Sequence, residues 1–223
     1  MKGTRFLAAA VLATLVASPG AMAIDLKMPG AKASAAPVGD VDAIATQESL
    51  VKRYAEAASY MNAAQIALTR AFDLKKEASA LEAEAMVLGS GATLDKDAIK
   101  KNREVSDAAS AEIDQKIASG AELSAEGRQH YVESFGPLVK GISATSKLPA
   151  EASSFSDAAQ AQVKSASLTE KASVTSKLAT GTYLAKEIPG FSSKSMDNFK
   201  KIVTYAQKQG IPVPPDATAL LNM

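Results

Sequence analysis

Apolar residues recur at three- and four-residue spacing along most of the chain, a period that predicts helices. From Asp40, which can cap a helix start, the stripe runs through Ile44, Val51, Tyr54, Ala58, Met61, Leu68 and Phe72. It continues, displaced around the cylinder, through Leu74, Ala78, Leu81, Ala85 and Leu88, and no glycine or proline interrupts it before Gly89. The pattern predicts one long N-terminal helix over 40–88. A helix of about 48 residues is about 70 Å long, so either the bundle is elongated or the helix breaks.

Gly89-Ser90-Gly91 closes that element and reads as a hinge, since it lacks the preceding strand and the lysine of a phosphate-binding loop. Asp95 then starts a second helix bearing Ile99, Val105, Ala109, Ile113 and Ile117, which stops at Ser119-Gly120. A third begins at Ser124 with Tyr131, Val132, Phe135, Leu138, Val139 and Ile142 on one face, and Gly136-Pro137 predicts a kink or break within it. Lys147-Leu148-Pro149 ends this element. A fourth helix runs from Ser153 to about Ala179, rich in Ala, Ser and Thr, with Phe155, Val163, Leu168, Val174 and Leu178 as its larger residues. Residues 181–190, which include Ile188-Pro189-Gly190, read as a connection. The fifth helix starts at Ser192 or Ser195, turns Met196, Phe199, Ile202, Val203 and Ala206 inward, and ends at Gly210.

In the tail, 211–223, Ile211-Pro212-Val213-Pro214-Pro215 must be extended, and Asp216 can cap a final turn ending at Leu220-Leu221. Its favoured role is a strap whose Ile211, Val213, Leu220 and Leu221 fill gaps in the bundle; the alternative is an exposed recognition peptide. No strand pattern is long enough to build a sheet, and no fixed-period repeat suggests a solenoid. The fold class is therefore all-α: an elongated bundle of about five helices over 40–210, with one long N-terminal helix and a Pro-rich C-terminal strap.

The first residues change the setting. Lys2 and Arg5 precede the apolar run from Phe6 to Ala17, Pro19-Gly20 breaks it, and Ala21-Met22-Ala23 presents small residues to a signal peptidase. The pattern is that of a cleavable leader, 1–23, with the cut after Ala23, and it resembles the signals of Gram-negative bacteria. An uncleaved anchor would need about 20 apolar residues where this run has about a dozen. Residues 24–39, with the Met28-Pro29-Gly30 turn and no apolar period, read as a flexible linker. The expected location is the bacterial periplasm, with secretion beyond it as the variant, and no membrane-spanning segment after cleavage.

Composition narrows the function. With no cysteine, an exported fold stands on packing without disulfides. Much of the 47% hydrophobic content is alanine, aromatics make up 5%, and tryptophan is absent, so the cores are thin and stability modest. The leader takes two bases, Lys2 and Arg5, and no acid with it, which moves the formal charge from +1 to −1. Basic and acidic residues alternate without a basic stripe or an aromatic platform, which argues against nucleic-acid binding.

Candidate chemistry is sparse. One histidine and no cysteine leave most hydrolase templates short of parts, and no Gly-x-Ser-x-Gly elbow is present. Ser49-Leu50-Val51-Lys52 has the Ser-x-x-Lys spacing without its companion motifs and reads as chance. Glu126, His130 and Glu133 share one helical face and form a weak candidate metal site, although a di-metal bundle needs a second histidine. The expectation is therefore no catalytic residue, no cofactor and no enzyme. The favoured function is an exported helical bundle acting through macromolecular contact, as a periplasmic adaptor, chaperone-like or envelope structural protein with a protein partner or a second copy. Its candidate interaction surface is the seam of Ile44, Val51, Tyr54 and Met61. The alternative is a carrier holding a small apolar ligand between helices in a pocket of Tyr131, Phe135, Phe199 and Tyr205.

Overall fold

The computed structural model describes residues 42–90 and 94–221. The leader, the 24–39 linker, the Asp40 cap and Gly91 lie outside the described residues, as do 222–223. Among the described residues every regular element is an α-helix, and there are eight segments rather than about five.

Helix α1 (Ala43–Ala71) starts at Asp42, whose carboxylate accepts the Ile44 amide at 2.9 Å. The continuous 40–88 helix that the apolar stripe predicts does not form. Asp73 adopts φ 55°, its amide donates to the Arg70 carbonyl, and the Leu74 amide donates to Thr69 at 2.8 Å. That bond pair is a Schellman closure made with an aspartate where glycine is usual. The chain then reverses into α2 (Lys75–Gly89), which packs back on α1. The stripe changes side at Leu74 because a new helix begins there. The same closure ends α3 (Lys96–Ala118) at Gly120, φ 66°, and α7 (Ala179–Lys208) at Gly210, φ 63°.

Helix α4 (Ala125–Thr145) is capped by Ser124, whose hydroxyl accepts the Gly127 amide at 3.0 Å. It passes through Pro137 unbroken, and Tyr131, Phe135, Leu138 and Ile142 stay buried on both sides of the proline, while Val132 turns outward. Leu148-Pro149 opens a helix instead of ending one: α5 (Leu148–Ser165) carries Pro149 in its first turn, where a missing N–H leaves no bond unmade. The predicted Ser153–Ala179 helix is interrupted. Ala166 is extended, and the Ser167 hydroxyl and amide both donate to the Glu170 carboxylate before α6 (Lys171–Lys177). Residues 181–190 are not a connection; α7 starts at Ala179 and runs through Pro189, which is exposed while Ile188 and Leu184 are buried. Among the described residues of the tail, 211–214 and Leu221 lie outside helix, and α8 (Pro215–Leu220) begins with Pro215 in its first turn. Ile211 and Ala217 are buried and Val213, Leu220 and Leu221 pack on the bundle, so the tail is a partly helical strap.

Two apolar clusters are threaded by α1 and α7. One gathers Leu68, Phe72, Tyr131, Phe135, Leu138, Phe199 and Val203; the other gathers Leu50, Tyr54, Ile99, Phe155, Leu184 and Ile188. Small residues bring the helices together. A Cβ on Gly127 would stand 2.6 Å from the Ala71 carbonyl oxygen, and one on Gly141 would stand 3.3 Å from the Met61 amide, which sets α1 and α4 antiparallel at close range. Gly181 likewise lies under the Phe155 ring.

Three stability outcomes follow from these backbones. Asp73→Gly removes an L-residue from the left-handed region and is expected to raise unfolding free energy by about 0.5–1 kcal/mol, after the glycine's unfolded-state entropy offsets part of the gain. Gly127→Ala forces α4 off the α1 backbone and is expected to cost about 1–3 kcal/mol. Gly136→Ala, in the same helix with nothing within 4 Å, is expected to gain up to about 1 kcal/mol. Urea denaturation with unchanged m-values reads all three.

Candidate functional site

The sequence-predicted site residues fall in three different environments. The seam does not exist as an open surface. Tyr54 and Met61 are 1% and 7% exposed, and Ile44 and Val51 are half-buried against the second cluster, because α4, α5 and α7 cover this side of α1. Tyr54 lies against Phe191 with ring centroids 5.5 Å apart, and burial pushes its phenol well above the ordinary tyrosine value, with nearby Arg103 opposing the shift.

The predicted aromatic pocket is packed solid over most of its extent. Tyr131, Phe135 and Phe199 have no exposed surface, and Phe72, Tyr131 and Tyr205 form edge-on and tilted ring contacts with centroids 5.4–5.9 Å apart. The Tyr131 hydroxyl donates to the Ile202 carbonyl at 2.9 Å and the Tyr205 hydroxyl donates to Ala121, so each ring is pinned at its polar end. Burial, with Tyr205 close by, raises the Tyr131 phenol far above its usual range. Of the four, Tyr205 lines an open groove of about 520 Å³ between the ends of α3 and α7.

Glu126, His130 and Glu133 do come together, as neighbours one helical turn apart. His130 Nδ1 lies 2.9 Å from the Glu133 carboxylate and Nε2 lies 3.9 Å from Glu126. These glutamates are 83% and 64% exposed and point along the surface, and among the described residues no group of three or more metal-ligating side chains converges. The three side chains thus line one exposed helical face, with Glu133 in hydrogen-bond contact with the imidazole and Glu126 farther off.

His130 nevertheless borders a groove of about 900 Å³. One wall is the α1–α2 turn with Phe72, Asp73 and Leu74; the other is the segment from Ala121 into the first turn of α4. The Asp73 closure and the Gly127 approach to Ala71 fix the distance between the walls. Arg70 is tied to Glu82 at 2.8 Å and Lys75 to Asp73 at 3.5 Å, while Lys116 and Glu122 have no ion-pair partner among the described residues. The groove thus offers charge of both signs over an apolar floor. Neither wall is legible as a site in the sequence, because the groove depends on a helix stop that carries no glycine or proline.

Sequence reasoning also missed the pairing of α3 with α7. Arg103 with Glu187, Asp107 with Lys194 at 2.8 Å, and Asp114 with Lys201 join the two helices in parallel register. The signal was present: Glu187, Lys194 and Lys201 stand seven residues apart, as do Asp107 and Asp114.

Comparison with family models, with curated proteins and with solved structures finds no match to this chain. No described helix is long and apolar enough to cross a membrane.

The tyrosines generate a pH dependence. The folded state keeps the Tyr54 and Tyr131 phenols protonated to higher pH than the unfolded chain does. Stability from them is fully present below about pH 10, the ordinary phenol value, and declines as pH rises beyond it. Tyr131→Phe is expected to lose about 1 kcal/mol at pH 7, from the bond to Ile202, and to flatten part of the decline above pH 10. Urea unfolding from pH 7 to 11 measures both; an identical alkaline slope in the variant contradicts the assignment.

Proposed function

We propose that this protein is an exported, non-enzymatic helical bundle of the bacterial periplasm that works by holding a macromolecular partner, in an adaptor, chaperone-like or envelope structural role. The observation that supports this reading is the groove of about 900 Å³ beside His130. Its walls are turns locked by backbone hydrogen bonds, so it is preformed, and its mixed charges over Phe72 and Leu74 suit an extended polypeptide better than a uniformly charged polymer. The partner is expected at this groove and not along the Ile44–Met61 stripe, whose larger residues Tyr54 and Met61 are buried.

A photo-crosslinking residue placed at Lys116 in the native host tests the reading, with exposed Gln160 on α5 as the control position. The expected result is a discrete adduct from position 116 and none from 160, on a mature chain whose intact mass begins at Ile24. Adducts of equal yield and pattern from both positions, or an uncleaved cytoplasmic product, would overturn it.

A further inference from the structure

The ladder of ion pairs between α3 and α7 stops one rung early. Its first pair sets a cation on α3, Arg103, against Glu187, and the next two set acids on α3, Asp107 and Asp114, against Lys194 and Lys201. On α7 the rungs stand at 187, 194 and 201, and the next residue in that register is Lys208. The same seven-residue step on α3 from Asp114 leads to Ala121, past the end of the helix, and α3 lines the gap with Ile117, Ala118 and Asp114, whose carboxylate is already taken by Lys201. No carboxylate meets Lys208 or its neighbour Lys200 among the described residues, although the two lysines before them on the ladder are both paired. Where the acid is missing the seam opens into the groove of about 520 Å³. Lys200, Lys208 and the Thr204 hydroxyl lie on one side, and Ile117, Ala118 and Tyr205 form an apolar floor.

We propose that this groove binds a small carboxylate with an apolar body, of the medium-chain fatty acid class. The ligand's carboxylate supplies the fourth acid of the ladder, between Lys208 and Lys200, and its hydrocarbon lies over Ile117, Ala118 and the Tyr205 ring. The chemistry follows from what the site lacks. Two unpaired ammonium groups call for an anion, and the adjacent apolar floor calls for a molecule that is apolar beyond its charged end. The volume falls within the range of about 300–1,000 Å³ usual for small-molecule sites. This groove shares no lining residue with the one beside His130, so the inference stands apart from the partner reading.

Calorimetric titration of the full chain with decanoate, below its micelle concentration, is the test, with decanol as the uncharged control. The expected result is saturable one-site binding of decanoate, with decanol at least about tenfold weaker and Lys208→Ala lowering decanoate affinity by about tenfold. A second variant keeps the outcome clear. Ala118→Asp, at an exposed position, builds the missing acid into the chain, and it is expected to abolish decanoate binding while melting at the same or a higher temperature. Equal binding of decanol, unaltered affinity in Lys208→Ala, or wild-type binding by folded Ala118→Asp overturns the proposal. So does binding of anionic phospholipid vesicles or of an acidic peptide without any binding of free decanoate.

Discussion

The approach of α1 to α4 through glycine and alanine is the contact on which the other helices depend. Ala57, Ala58, Ala64 and Ala71 on α1 are buried, and Gly127 and Gly141 on α4 leave no room for even one extra carbon. An alanine buries little area, roughly a third or less of what a leucine does in free energy terms, so such an interface is held by many short-range dispersion contacts. Those contacts weaken steeply with a gap of about 0.5–1 Å. The bundle tolerates a composition poor in aromatics because its few large rings, Phe72, Tyr131, Phe135, Phe199 and Tyr205, gather at the end of this pair and fill one cluster completely.

The third helix is attached by different physics. Gln65 on α1 donates to the Ser106 carbonyl and the Ser110 hydroxyl at 3.1 and 2.7 Å and accepts from the Ser106 hydroxyl at 2.9 Å. Glu84 on α2, 3% exposed, meets the Lys101 ammonium at 3.1 Å, and the ladder to α7 adds three ion pairs. The exposed pairs to α7, Asp107 with Lys194 and Asp114 with Lys201, contribute about 0.2–1 kcal/mol each and weaken with salt, so their main effect is to fix which residues face which. Register is what gives Lys208 its meaning, since Lys194 and Lys201, two and one seven-residue steps before it, are both paired with acids on α3 and no described carboxylate pairs with Lys208.

Both grooves are by-products of helix ends. The one beside His130 exists because α1 stops at Asp73, and the one beside Lys208 exists because α3 stops at Gly120 while α7 runs on to Lys208. A bundle whose helices all ended level would have neither. The chain's features for contact therefore sit at its turns, where backbone closures hold the walls, and the oily stripe of α1 is consumed internally.

The all-helical class, the Asp95 and Ser124 caps and the Gly120 and Gly210 stops were legible because each is decided by neighbours in sequence: a period, a side-chain oxygen within three residues, a glycine free to take positive φ. The strap's apolar residues were legible for the same reason. Local signals misled where two readings compete. Pro149 opens a helix, Pro137 and Pro189 are carried inside helices, and Asp73 makes a stop that sequence assigns to glycine. Pro149 in a first turn costs nothing, whereas at Pro137, Pro189 and Asp73 packing on neighbouring helices supplies more than the local preference of about 1–3 kcal/mol removes. A periodic stripe shows that a helix has an apolar face, but which helices cover that face is set by the approach distances that Gly127, Gly141 and Gly181 allow. That is why the sequence alone determined the all-helical class and several helix ends, while only the tertiary structure decided that Tyr54 and Met61 are core, that Tyr131 and Phe135 are fully buried, and that Lys208 meets no acid among the described residues.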